Sequence, residues 1–456
     1  MLANHTDVIA ALITPPGRGG VGIVRVSGSD LSIFFDAVLA YTPTPRFAHY
    51  LSFLGGDNEE IDKGIAIFYP SPRSFTGEDV IEFQGHGGPV VMDLLLQRVI
   101  ALGARQALPG EFSERAYLNG KMDLTQVEAV ADLIDASTVE AARGAINTLQ
   151  GKFSKEIEQL LEDFTLLRVY VEAAIDFPEE EVDFLTDGKV ATDLLALVDK
   201  LKKLLSSASQ GALLKEGISV VIVGKPNAGK SSLLNTLSGL DKAIVTDIPG
   251  TTRDVLHEHI SIDGMPLHII DTAGLRETQD AVESKGVEKA WQEISQADHI
   301  LFVVDGSEPY ELVLPEDWSK AGREQEDGKE VTFLLNKTDK PNYKGSPQQQ
   351  NGHAVIEIST KTEHGLDQLK EHLKRCAGYT NAGGGIFSAR TRHITALKQT
   401  LDHLMAAREQ LLVLGAAGEL IAEDLKQAQQ ALGTITGDYS SDDLLGDIFS
   451  SFCIGK

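Results

Sequence analysis

The octapeptide Gly224-Lys225-Pro226-Asn227-Ala228-Gly229-Lys230-Ser231 places its glycines and Lys-Ser pair at the spacing of a phosphate-binding loop, directly after the apolar run Ile218 to Val223. Glycines let backbone N–H groups curl around phosphate oxygens, and a helix beginning at the end of the loop aims its positive end at them. Lys230 is suited to neutralise the outer phosphates and Ser231 to ligate Mg²⁺, with Ala228, Gly229 and Ser232 in the same cradle.

Three further segments follow apolar runs in order. After the run ending at Ile270 stands Asp271-Thr272-Ala273-Gly274, whose aspartate can hold Mg²⁺ through its water shell and whose Gly274 N–H can sense a γ-phosphate. Asn336-Lys337-Thr338-Asp339 follows Val331 to Leu335. There Asp339 can accept hydrogen bonds from guanine N1–H and the exocyclic amine, whereas adenine leaves that carboxylate mispaired. Ser359-Thr360-Lys361 can add a backbone contact to the guanine oxygen. Taken together in this order, the segments predict a GTP site.

The position after Gly274 is Leu275, where Ras-like switches place a water-positioning glutamine, so the attacking water must be oriented in another way. Thr252, in Thr251-Thr252-Arg253-Asp254, is suited to complete the Mg²⁺ shell, and Thr246-Asp247-Ile248-Pro249-Gly250 can wrap over the nucleotide. Asn227 is a neutral oxygen donor inside the phosphate loop. With carbonyls of the wrapping loop it can cage a monovalent cation where other GTPases place an arginine finger.

These segments need a scaffold. Residues 216–379 alternate apolar runs (Ile218 to Val223, Pro266 to Ile270, His299 to Asp305, Val331 to Leu335, Ala354 to Ile358) with helical stretches, the pattern of a mainly parallel, doubly wound sheet. Residues 1–120 mix short β-rich runs with one amphipathic stretch from about Gly88 to Leu102, an α+β domain. From Asp123 to Asp176 prolines are absent and Leu149, Phe153, Ile157, Leu160, Phe164, Leu167 and Val171 fall at helical spacing. A further helical pattern spans about Thr192 to Leu205, and the tail repeats it with Ile394, Leu397, Leu401, Leu404 and Leu411. The economical arrangement is multidomain: an α+β domain over 1–120, a discontinuous all-α domain over 121–215 and 380–456, and an inserted α/β P-loop G domain over 216–379.

Lysine and arginine number 41 against 67 acidic residues, a net charge of −26 spread along all 456 residues. No large segment is basic, which excludes nucleic-acid binding by bulk electrostatics; RNA contact must be local or supplied by a partner. Two cysteines, Cys376 and Cys453, cannot build a disulfide framework. No apolar run approaches the roughly 20 residues that cross a bilayer. A soluble, cytoplasmic protein is expected.

Asn227 in the phosphate loop, Thr251-Thr252-Arg253-Asp254, the hydrophobic Leu275 and the terminal Cys453-Ile454-Gly455-Lys456 together resemble the MnmE (TrmE) family of tRNA-modification GTPases, and the resemblance covers the whole chain. It implies a potassium-activated GTPase whose G domains dimerise across their nucleotide faces. K⁺ would be held by Asn227 and carbonyls of Thr246, Ile248 and Thr251, and Mg²⁺ by Ser231 and Thr252. Glu283 matches the family's water-orienting glutamate; the residues alone do not single it out over Glu277 or Glu288. The N-terminal domain of such proteins binds a one-carbon tetrahydrofolate, in the 5,10-methylene or 5-formyl form, and holds a constitutive homodimer. The matching positions are Arg25, Glu82, Lys121 and Lys456. Cys453 would lie in that centre as nucleophile, base or structural thiol. A flavoprotein partner, MnmG (GidA), would bring FAD, NADH and most of the tRNA surface in a heterotetramer. The joint reaction adds an aminomethyl-type group to carbon 5 of the wobble uridine. The rival reading is a GTP-gated RNA or ribosome assembly switch without modification chemistry, and a third makes the folate site an independent enzyme with a regulatory G domain.

Overall fold

The computed structural model describes residues 7–176, 188–240, 257–271, 297–310, 312, 330–343, 345, 349–350, 352–380, 387–412, 418–439 and 442–455. The chain divides into two compact units. One comprises residues 1–131, 148–201 and 396–456, the other 132–147 and 202–395. Among the described residues no helix is long and apolar enough to cross a membrane.

In the first unit, strands β1 (Ile9–Leu12), β2 (Gly19–Gly28), β3 (His49–Leu54), β4 (Glu60–Tyr69), β5 (Asp79–Gly87) and β6 (Arg105–Gln106) form a six-stranded sheet in the order β3-β4-β5-β2-β1-β6. All pairs are antiparallel except β1 with β6. Period-2 alternation sorts the side chains between the two faces. Val24, Val26, Ile81 and Phe83 join a core with Met92, Leu95 and Val99 of the helix Pro89–Ala101. Residues one step along the strands share the other face with Ile9, Ala11 and Phe112.

Helices complete this unit. Asp123 and Gln126 cap the helix Leu124–Asp135 reciprocally: the Gln126 N–H donates to the Asp123 carboxylate and the Asp123 N–H to the Gln126 side-chain oxygen, both at 3.0 Å. The apolar stripe expected from Leu149 to Val171 is divided. Gly151, at φ +78°, separates the helix ending at Leu149 from the helix Lys152–Asp176, which buries Phe153, Ile157, Leu160, Phe164, Leu167 and Val171. Against it lies the helix Gly418–Gly433, tied by hydrogen bonds from Arg168 to Gln429 and from Gln429 to Thr165.

The second unit holds a seven-stranded sheet of β7 (Ile218–Gly224), β8 (His257–Ile262), β9 (Met265–Asp271), β10 (His299–Asp305), β11 (Glu330–Asn336), β12 (Gln349–Gln350) and β13 (His353–Glu357). The order is β12-β13-β11-β10-β7-β9-β8. The five central strands are parallel, and β12 and β8 add antiparallel edges. Central strands buried on both faces explain the continuous Val/Ile/Leu runs. The helix Leu366–Cys376 packs Leu366, Leu369 and Leu373 onto the sheet. Its entry requires glycine: Gly365 sits at φ +73°, and a Cβ there would lie 1.9 Å from the Glu357 carbonyl oxygen.

Candidate functional site

Register brings the separated motifs to one edge of the second sheet. Asp271 pairs with Ile222, Gly224 with Val303, Asn336 with Asp305, and Glu357 with Leu335. The phosphate loop, the end of β9, the Asn336 segment and the Ser359 segment therefore follow the carboxyl ends of neighbouring parallel strands. That crevice is where open α/β sheets bind ligands.

The loop's geometry depends on two glycines. Gly224, at φ +146°, lies so close to β10 that a Cβ would come within 2.2 Å of the Val303 carbonyl oxygen. Gly229, at φ +104°, leaves 2.1 Å between such a Cβ and the Asn336 amide nitrogen. The helix Lys230–Leu240 then starts at once, with Leu233 N–H donating to the Gly229 carbonyl at 2.9 Å and Leu233 and Leu237 anchoring it in the core. Lys230 Nζ donates to the carbonyls of Gly224 (2.8 Å) and Lys225 (3.1 Å), which sets the ammonium over the loop. Ala228 is buried, while Ser231 and Ser232 are exposed in the first turn of the helix. Gly229→Ala is expected to weaken binding of a fluorescent GTP analogue by about 10–100-fold, because it adds strain and displaces the buried Asn336 amide. Unchanged affinity in a titration would show that the loop adapts.

Asn336 braces this arrangement from inside. It is 1% exposed, its amide donates to the Ala228 carbonyl at 2.9 Å, and its side-chain oxygen accepts from the Lys337 N–H at 2.8 Å and the Thr360 N–H at 3.3 Å. Lys337, at φ +68°, extends along the loop and donates to the Asn227 carbonyl at 2.7 Å. Its ammonium also pairs with Asp305 at the end of β10. Burial alone would raise the Asp305 carboxyl; hydrogen bonds from Lys337 and Ser307 bring it down to about 2. Sequence reasoning missed Asp305, whose signal is an apolar run that ends in aspartate at the carboxyl edge. Asp339 accepts from Ser359 Oγ at 2.8 Å, and this bond first of all holds its carboxyl below the usual range, so it stands ionised as a double acceptor. Lys361 is exposed beside this segment.

The first unit assembles a second polar centre. Arg25 on β2 and Glu82 on β5 are register partners on the face opposite Val24 and Ile81. Arg25 donates to one Glu82 oxygen through Nε (3.0 Å) and a terminal nitrogen (2.7 Å), and Gln84 reaches the other oxygen at 3.3 Å. The guanidinium carbon lies 5.2 Å from the Phe75 ring centre and 5.5 Å from that of Phe112. Lys121 Nζ donates to the Pro72 carbonyl, in the loop that carries Phe75. The chain's end returns here: Ile454 bridges Pro109, the Cys453 carbonyl accepts from Gly110 N–H, and a Cβ at Gly455 would lie 2.7 Å from the Leu12 carbonyl oxygen. Leu12 neighbours Ala11, the register partner of Arg25. Cys453 is exposed. Phe75, Phe112 and Gln84 were not singled out from sequence; aromatics near a strand-borne Arg are informative only once the pairing is known.

Several expected residues lie outside the described ones: Thr246, Asp247, Ile248, Pro249, Gly250, Thr251, Thr252, Thr272, Ala273, Gly274, Leu275, Glu283 and Lys456. For Asp271 the backbone alone is described, as the last residue of β9.

A phosphate loop between a buried parallel strand and its helix, with an ionised aspartate beside the same sheet edge, belongs to the P-loop GTPase class. The comparisons with known proteins are specific. The MnmE helical domain model matches residues 124–453 and the model for the GTP-binding protein TrmE N-terminus matches residues 8–121. A tRNA modification GTPase MnmE of Erwinia tasmaniensis is 56% identical over 454 residues, covering 99% of this chain and 100% of that protein. One of Aeromonas hydrophila is 56% identical over 452 residues, with 99% and 100% covered. Among solved structures, the G domain of the T. maritima FeoB iron transporter shares 27% identity over 35% of this chain and 98% of its own, with a TM-score of 0.25. The chain belongs to the MnmE family of tRNA modification GTPases.

Proposed function

We propose that this tRNA modification GTPase is activated by potassium and works in the cytoplasm as a homodimer with a flavoprotein of the MnmG (GidA) type. The complex adds an aminomethyl-type group to carbon 5 of the wobble uridine. The division of labour follows the chain: residues 1–120 bind a one-carbon tetrahydrofolate and dimerise, 121–215 and 380–456 form the helical domain, and 216–379 hydrolyse GTP. The observation that carries the cation reading is Asn227. It sits at φ +64°, exposed, with its backbone carbonyl engaged by Lys337 Nζ, so its side-chain oxygen is the group it offers a cation. Carbonyls of Thr246, Ile248 and Thr251 complete the cage, Ser231 and Thr252 hold Mg²⁺, and Glu283 orients the water. A fixed positive charge there stabilises the transition state as an arginine finger does.

The Arg25–Glu82 centre fits a folate in its chemistry. A carboxylate suits the amide-and-amine edge of a pterin, the two flanking aromatics suit its ring, and Lys121 and Lys456 suit the acidic tail. Cys453, as nucleophile, base or structural thiol, belongs to this centre. FAD and NADH come with the partner, and so does most of the tRNA surface, in keeping with a net charge of −26.

GTP hydrolysis measured at matched ionic strength is expected to run several-fold faster in K⁺ than in Na⁺. Equal rates defeat the cation cage. In the same preparations, Cys453→Ser is expected to abolish tRNA modification and leave GTP turnover largely intact; a parallel fall in both would mean that the two centres are not separate.

A further inference from the structure

At the amino end of the second sheet, the edge away from the nucleotide site, chemistry-bearing residues converge that the GTPase reading does not use. His299 opens β10 and Glu330 opens β11, while His372 and Cys376 lie one turn apart on the helix Leu366–Cys376. His299, His372 and Cys376 each bring a ligand atom to within 4.8 Å of the other two. Cys376 Sγ is 3.4 Å from His372 Nε2. The Glu330 carboxylate lies 3.9 Å from His299 Nδ1. We infer that His299, His372 and Cys376 form a binding site for a zinc-class divalent cation, and that Glu330, an exposed side chain outside this cluster but 3.9 Å from His299 Nδ1, swings in as the fourth donor.

The donor set carries the assignment. Two imidazoles, a thiol and a carboxylate are the mixture that suits Zn²⁺, and thiolate with carboxylate supplies two negative charges against its two positive ones. The two rings are joined through one hydroxyl. Thr332 Oγ1 lies 2.9 Å from His299 Nε2 and 2.7 Å from His372 Nε2, donating to one ring and accepting from the other. That pairing needs neither the thiol nor the carboxylate. Both rings are buried, and a cleft of about 780 Å³ lined by Glu330, His353, Gln368 and Cys376 gives a route in.

Binding asks for modest rearrangement. Ligand atoms around tetrahedral zinc stand roughly 3.3–3.8 Å apart for bonds of about 2.0–2.3 Å, so the cluster must contract by about an ångström. Arg375 donates to His372 Nδ1 at 3.3 Å; once a metal takes Nε2, that nitrogen carries the proton and the exposed guanidinium turns to solvent. Binding displaces the Cys376 thiol proton.

The test uses the full chain with Co²⁺ as a spectroscopic probe and Zn²⁺ as competitor. A thiolate-to-cobalt charge-transfer band is expected, removed by stoichiometric Zn²⁺, absent in Cys376→Ser and retained in Cys453→Ser. Binding of a fluorescent GTP analogue to Cys376→Ser reports that the variant is folded. The wild-type chain supplies a second measurement that needs no variant. At Zn²⁺ about ten times Kd, alkylation of Cys376 read by mass spectrometry slows about tenfold, whereas that of Cys453 does not. A band that survives Cys376→Ser, or Cys376 labelling indifferent to Zn²⁺, overturns the site and leaves a hydrogen-bonded packing cluster.

Discussion

Asp339→Asn is expected to lower the affinity for GTP about a thousandfold and to transfer the preference to xanthosine triphosphate. The carboxylate is a pure acceptor, and guanine presents donors at N1–H and the exocyclic amine. Ser359 Oγ donates to one of its oxygens at 2.8 Å, which fixes its orientation and favours the ionised form. An asparagine replaces one acceptor with an N–H donor, which collides with the guanine amine and matches the carbonyl that xanthine carries in its place. The partnership with Ser359 predicts a graded companion: Ser359→Ala loosens the carboxylate without changing its acceptor character. It should weaken GTP binding far less than Asp339→Asn and leave the choice between guanine and xanthine unchanged. Competitive titration with both nucleotides checks the pair. Retained selectivity for guanine in Asp339→Asn removes Asp339 from base recognition.

The Asn336–Lys337 segment and the phosphate loop are one hydrogen-bonded assembly, so the substitution is expected to act cleanly only at Asp339. Lys337 spans from Asp305 to the Asn227 carbonyl, and Asn336 spans from Ala228 to Thr360. Changes at these two residues disturb both halves together. Asp339 holds no part of the phosphate loop.

The loop was legible because its chemistry is local: glycine positions, Lys230 and Ser231 follow one another, and a strand must precede them. The four strand-end motifs could be ordered for the same reason. Asp305 carries only the end of an apolar run as a signal, and its role appears once β10 and β11 pair in register and bring Lys337 beside it. Arg25 and Glu82 show the same limit. Each reads as an isolated charge until antiparallel pairing of β2 with β5 sets them opposite one another, with the Arg25 guanidinium beside Phe75 and Phe112. Strand β8 escaped a search for continuous apolar runs because it is an edge strand, and its residues His257, Glu258 and His259 interrupt the pattern. The break at Gly151 went unread because helical spacing of apolar residues continues across it, and only the positive φ ends the earlier helix.

Arg115→Met is expected to destabilise the first unit by about 3–5 kcal/mol, because it removes a buried cation shared by three carboxylates and leaves them under-compensated. Arg115 is 1% exposed and ion-paired with Asp7, Glu78 and Glu111, and Glu111 is itself fully buried. Arg105 backs the cluster from Asp7 and Glu111, and Ser27 hydrogen-bonds Glu78. Burial alone would raise Glu111; hydrogen bonds from Arg105, the Leu108 N–H and Arg115 more than offset it and leave the carboxyl below its usual value. Asp7 is lowered in the same way, with desolvation opposed by Arg105 and Arg115. A carboxyl depressed in the folded state contributes stability that is present above its unfolded pKa, near 4, and is lost as pH falls through the folded value. The wild-type unit should therefore lose protection on acidification below about pH 4, and Arg115→Met should flatten that acid limb while lowering stability at neutral pH. Hydrogen exchange of peptides covering β2 and the helix Glu111–Leu118 reads this unit by itself, which matters in a chain with two compact units. Equal exchange at pH 7 in the variant and the wild type would mean that packing of Phe112 and Ile9, rather than the ion cluster, holds the helix to the sheet.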